Sequence, residues 1–213
     1  MPALAPQLEP RLALVERGLR LNYITIAYNS IEAIVALIAG IVSGSVALVG
    51  FGLDSVIEVT ASGAAQWRLR SDVGVERREH AERITLRIIG WTFLALAAYV
   101  TYDSAMALLH RDAPERSVLG IAILALSVVV MPLLARAKRI VARGMTSRAL
   151  EADAAQTSLC AYLSVIALVG VALNAAFGWW WADPLAALGM VPIIVKEGLE
   201  GLHGDVECAD ECC

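Results

Sequence analysis

Apolar residues fall into six long runs, at 21–42, 44–67, 84–109, 118–135, 149–178 and 179–199, with short polar connections between them. Each run approaches or exceeds the roughly 20 residues that carry an α-helix across about 30 Å of hydrocarbon. The pattern predicts an all-α integral membrane protein with six transmembrane helices. Run 118–135 is the cleanest, since it holds no charged residue. Ser43-Gly44-Ser45 turns span one into span two, and Phe177-Gly178-Trp179 turns span five into span six. The charged stretch 70–82 is expected to be a solvated loop, and Asp112-Ala113-Pro114-Glu115 reads as a turn followed by a helix start. Trp179, Trp180 and Trp181 sit where an interfacial aromatic belt is expected. Asp183-Pro184 reads as an N-cap and a first-turn proline opening span six.

Three segments follow from this spacing: an N-terminal arm at 1–19, a six-helix transmembrane domain at 20–202, and a tail at 203–213 rich in cysteine and acids. The arm has no secretory signal; with Leu8, Leu12, Val15 and Leu19 on one side it is either a surface amphipathic helix or a frayed end. The chain is 58% hydrophobic, and the runs leave no room for a sizeable soluble domain. Net charge, −4, says little about partners, because several acids fall inside the runs. The bases say more. Arg11, Arg17 and Arg20 precede span one, Arg68 to Arg83 separate spans two and three, and Arg136, Lys138, Arg139, Arg143 and Arg148 separate spans four and five. The opposite side carries only Arg111 and Arg116, so the positive-inside rule places both termini in the cytoplasm. These arginines are explained by topology and require no nucleic acid.

Within the apolar runs, Asp54 and Glu58 are four residues apart, so both carboxylates project from one helical face. An acid at mid-membrane costs about 2.5–3.5 kcal/mol and is usually turned toward a bundle interior or polar pathway. Span five carries a second stripe, Asp153, Gln156, Thr157 and Cys160, also on one face. If spans two and five touch, Asp54, Glu58, Asp153, Gln156 and Cys160 converge on one pocket. Carboxylate oxygens neutralise a divalent ion, and a thiolate tilts preference toward zinc or cadmium over magnesium. Gln156 can equally bond a neighbouring helix, whereas Cys160 reads as a ligand sooner than as a small apolar filler. Glu32, with Tyr28 and Asn29 one turn earlier, is a further ligand, a proton carrier or the partner of an arginine. Asp103 in span three is expected to be interfacial, and Arg87 to snorkel. Gly40 and Gly44 suit close helix packing, within the chain or across a dimer seam. The tail places Cys208, Cys212, Cys213 and His203 among four acids, a composition that suits loose metal capture or a simple polar end. No Walker loop and no credible Ser/His/Asp set is present, so neither an ATPase nor a hydrolase is indicated, and no prosthetic group is implied.

Ser43-Gly44-Ser45-Val46-Ala47-Leu48 leading to Asp54-Ser55 resembles the start of span two in cation diffusion facilitators. Arg148-Ala149-Leu150-Glu151-Ala152-Asp153 is similar to the start of their span five, and Trp181-Ala182-Asp183-Pro184-Leu185-Ala186-Ala187-Leu188 to their span-six opening. Glu79-His80-Ala81-Glu82 looks like a degraded form of the patch before span three. The resemblance covers about residues 20–202. It implies a homodimer in the cell membrane that exports a divalent metal in exchange for protons by alternating access. It also implies a site at Asp54, Glu58, Gln156 and Cys160, of which only Asp54 keeps the family's usual residue. The missing histidine and the added thiol point to a shifted metal preference or to help from Asp153 and Glu32. The family's usual cytoplasmic domain is expected to be absent. Two other classes stay open: a membrane metal sensor or scaffold without transport, and a carrier of a non-metal cation.

Overall fold

The computed structural model describes residues 5–70, 75–111 and 113–203. Those residues form six α-helices: α1 (Ala5–Ser43), α2 (Val46–Arg70), α3 (Val75–His110), α4 (Val118–Met145), α5 (Arg148–Phe177) and α6 (Ala182–His203). Five contain stretches long and apolar enough to cross a membrane: Ala13–Ser43, Val46–Trp67, Gly90–His110, Val118–Met145 and Asp153–Phe177. α6 falls short of the expected sixth because charge brackets its apolar middle, with Asp183 at one end and Lys196, Glu197 and Glu200 at the other. The tail at 204–213 lies outside the described residues.

Helices overrun the apolar runs at their charged ends. Residues 5–19 are the first turns of α1, and Leu14, Val15, Leu19 and Leu21 pack on a cluster of Ala65, Val141, Ala142, Met145 and Leu150. That interlocks α1, α2, α4 and α5, in place of a separate surface helix. Likewise α3 starts at Val75, so most of the expected loop at 70–82 is helical. α4 continues to Met145, ten residues past its last uncharged stretch, before Thr146 (φ 50°) ends it in the left-handed region.

The connections α1–α2, α3–α4 and α5–α6 meet at one end of the bundle. There the Glu115 amide donates to the Ser43 carbonyl (2.7 Å), and Asn174 Nδ2 donates to the Pro114 carbonyl (2.8 Å). Asp183 is already inside α6 and does not cap it; its carboxylate instead serves α2. Ser45 Oγ donates to Asp183 Oδ1 (2.6 Å), the Ala47 amide donates to Oδ2 (3.3 Å), and Ser45 Oγ accepts from the Leu48 amide (3.1 Å). Orphan amides at a helix start need such acceptors, above all in lipid, where water is absent. Phe177, Trp179 and Trp181 stack beside this junction, with successive ring centroids 5.3 Å apart.

Neighbouring pairs α1–α2, α4–α5 and α3–α6 pack most closely, and α1–α4 and α2–α5 join them. Burying apolar area gains little against lipid, so close backbone approach and polar pairs hold such bundles. A Cβ on Gly40 would meet the Val49 amide of α2 at 2.8 Å, so this glycine sets the α1–α2 crossing inside the chain. Gly44 acts differently, since at φ +67° it makes the left-handed turn between those helices. The lipid-facing flank of α1 exposes Ile24, Ile31, Ile34, Ile38 and Ile41.

Candidate metal site

α2 and α5 do touch, and the polar stripe of each faces the interior. Asp54, Glu58, Asp153, Gln156, Thr157, Cys160 and Glu32 are all buried, none more than 3% exposed. Along α2 and α5, these side chains divide into two connected groups.

Asp54 is the centre of the first. Its carboxylate is 1% exposed, and neither oxygen has a hydrogen-bond partner. The free thiol of Cys160 lies beside it and beside Glu58. One turn earlier on α5, both amide atoms of Gln156 are buried without a partner, and so is Glu58 Oε2. Glu32 on α1 is within electrostatic reach of Asp54 and Glu58; its Oε2 accepts from Ser55 Oγ (2.9 Å), while Oε1 has no partner. Tyr28, one turn before Glu32, bonds Ser127 of α4 through its hydroxyl (3.1 Å). Buried polar atoms are almost always hydrogen-bonded. Asp54, Glu58, Glu32 and Gln156 each keep at least one buried acceptor without a partner, and the thiol lies beside the first two. Among the described residues, no three His, Cys, Asp or Glu side chains are yet drawn close enough to hold a metal ion.

Lys138 of α4 anchors the second group. Its ammonium is buried and spends its three protons on Ser62 Oγ (2.9 Å), Asp153 Oδ1 (3.0 Å) and Thr157 Oγ1 (2.9 Å). Ser62 also donates to Asp153 Oδ1 (3.0 Å), and the Thr157 hydroxyl donates to Glu58 Oε1 (2.6 Å), with the Asp153 carbonyl a second acceptor at 3.0 Å. Glu58 Oε1 itself stands 3.8 Å from the ammonium. Lys138 thus belongs to the bundle interior rather than to a basic connection between spans four and five. Ser62 of α2 is one of its acceptors.

Other expected residues stay outside these groups. Asp103 accepts from Tyr99 (3.1 Å) on the open flank of α3. Arg87 is exposed on α3, and Arg139 bonds Ser158 (3.0 Å) on the surface.

Residues 23–202 match the family described as the cation efflux transmembrane domain. The chain is 30% identical over 177 residues to Magnetosome protein MamB of Paramagnetospirillum magneticum, covering 78% of this chain and 60% of that protein. It is 30% identical over 159 residues to the Uncharacterized transporter sll1263 of Synechocystis sp., covering 70% and 50%. With Transmembrane protein 163 of Xenopus laevis it shares 29% identity over 138 residues, covering 65% and 49%. The chain spans about half to three fifths of the length of these relatives. It belongs to the cation efflux family, whose members are multi-pass membrane proteins of cation transport.

Proposed function

We infer that this domain exports a divalent metal ion, zinc or cadmium by the chemistry of its donors, in exchange for protons. The ion is held by Asp54, Glu58, Gln156 and Cys160, with Glu32 and Asp153 flanking it. The observation that carries this reading is the Asp54 carboxylate: buried, with both oxygens unpartnered and a free thiol beside it. A carboxylate in that position costs several kcal/mol unless a cation or proton arrives. Two carboxylates balance a divalent charge, and sulfur favours the softer ions. Protons taking the metal's place on the carboxylates complete the exchange. Alternating access presents the pocket to each side in turn. The arginine distribution supports cytoplasmic termini in a cell membrane, and the family likeness supports a homodimer.

Flux into proteoliposomes tests this directly, with zinc, cadmium, cobalt, manganese and ferrous iron compared against an internal pH dye. Zinc or cadmium should move, protons should move the other way, and Asp54→Ala should abolish both while the protein still inserts. Wild-type flux in that variant would sink the site assignment. A second reading, a membrane protein that binds metal without moving it, gains support from the Lys138 ion pair that already satisfies one side of the acid cluster. Stoichiometric binding with no flux under any gradient would favour it. Flux of an amine, indifferent to zinc and cadmium, would instead point to a non-metal carrier.

A further inference from the structure

We propose that Lys138 is the resident cation of the pathway, holding Glu58 and Asp153 until an incoming metal ion displaces it from Glu58. The inference rests on the metal-transport reading above and adds a residue to it.

Three observations carry it. First, the ammonium is fully engaged: three acceptors at 2.9–3.0 Å use its three protons, and Thr157 extends the chain to Glu58 at 2.6 Å. A buried ion pair contributes little net stability over an apolar substitute, whereas removing one partner is costly. Net stability alone therefore gives little reason for a lysine in such a place. Second, Glu58 is divided between the two polar groups. Oε1 is held by the lysine side through Thr157, and Oε2 is unpartnered on the side of Asp54 and Cys160. Among the described residues, no tight metal-holding set exists while Glu58 is so held, and a metal that recruits Glu58 must loosen it from Thr157 and Lys138. Third, a cavity between α1, α4 and α5 is lined by Leu21, Asn22, Lys138 and Asp153, and Asn22 Nδ2 is buried there without a partner. That cavity is about the size of one water molecule, so it gives the ammonium room to shift when Glu58 is drawn away.

Lys138 then does two things. It neutralises the acids between turnovers, so the empty pocket can close without bare buried charge. It also weakens metal binding, because each ion has to compete with a tethered ammonium whose effective concentration is high. Asp153 is the lysine's fixed partner: it keeps the ammonium near at hand when Glu58 turns to the metal.

The test measures zinc and cadmium binding to the purified protein alongside proteoliposome flux. Lys138→Gln should bind metal on the order of tenfold more tightly, from loss of a unit charge at about 4 Å, while maximal flux falls. KM and kcat should therefore drop together, a split that a merely structural defect would not give. Lys138→Arg should keep wild-type affinity within about threefold. Because Lys138→Gln leaves two acids uncompensated and can fail to fold, Lys138→Gln/Asp153→Asn is compared with Asp153→Asn alone. The double variant should bind metal more tightly. Equal or weaker binding in the double variant would overturn the role of Lys138 while leaving Asp54-dependent flux, and so the transport reading, intact. Loss of all metal binding and flux in the wild type would overturn both.

Discussion

Replacing Asp183 by alanine gives the sharpest check on how α6 and α2 are joined. Asp183 accepts from the Ser45 hydroxyl at 2.6 Å and from the Ala47 amide at 3.3 Å. By taking the hydroxyl proton, it leaves the Ser45 oxygen free to accept from the Leu48 amide. Hydrogen bonds to a charged acceptor contribute about 1.5–3 kcal/mol, and a lost N-cap costs about 1 kcal/mol. The long Ala47 contact belongs at the low end of that range, and the Ser45 cap survives in part. Asp183→Ala should therefore cost about 2–4 kcal/mol. Asp183→Asn keeps one acceptor but turns an amide NH2 toward a backbone donor, for a loss of about 1–2 kcal/mol. Ser45→Ala/Asp183→Ala should cost less than the sum of the two single variants, since the two residues share one device. Equilibrium unfolding in mixed micelles, followed by tryptophan fluorescence, measures each value. A change below about 0.5 kcal/mol for Asp183→Ala, the size of an ordinary surface substitution, would refute the reasoning.

Cys160→Ser exchanges a soft donor for a hard one, so cadmium affinity should fall more than zinc affinity; an equal change for both ions in titration would remove the thiol from the site. A Cβ on Gly90 would lie 2.7 Å from the Gly198 carbonyl and 2.9 Å from the Leu202 amide, so neither helix can yield without moving backbone. Gly90→Val should cost about 1–3 kcal/mol by overpacking, and unchanged unfolding in detergent would show that α3 and α6 part freely there.

Much of the bundle is legible in the apolar runs, because a helix in lipid must satisfy its own backbone over a set length. The acids of α2 and the polar stripe of α5 are legible for the same reason: helical period puts Asp54 with Glu58, and Asp153 with Gln156 and Cys160. Lys138 is not. It stands among Arg136, Arg139 and Arg143, where topology alone accounts for positive charge. A signal is nevertheless present in its spacing. Leu124, Ser127, Met131, Leu134, Lys138, Val141 and Met145 are buried along α4 at intervals of three and four. A lone lysine on such a stripe asks for a buried acid. Asp183 misleads because a cap motif looks local, whereas its carboxylate serves a helix more than a hundred residues away.

The two tightest connections lie at opposite ends of the molecule. Gly44 and Ser45 clamp α1 to α2 at one end, and Thr146 and Ser147 clamp α4 to α5 at the other. Each hairpin thus has its covalent turn at the end where the other is held by side chains: Leu14, Val15 and Leu19 of α1 pack with Ala65 of α2 at the end opposite Gly44, and Asn174 of α5 bonds the Pro114 carbonyl at the end opposite Thr146. The acids of α2 and the thiol of α5 lie between them. Parting the contacts of the first pair would loosen the interior at the side of the termini, and parting those of the second would loosen it at the opposite face. One short turn in each hairpin therefore fixes one end of each helix pair covalently and leaves the other end for side-chain contacts alone to hold.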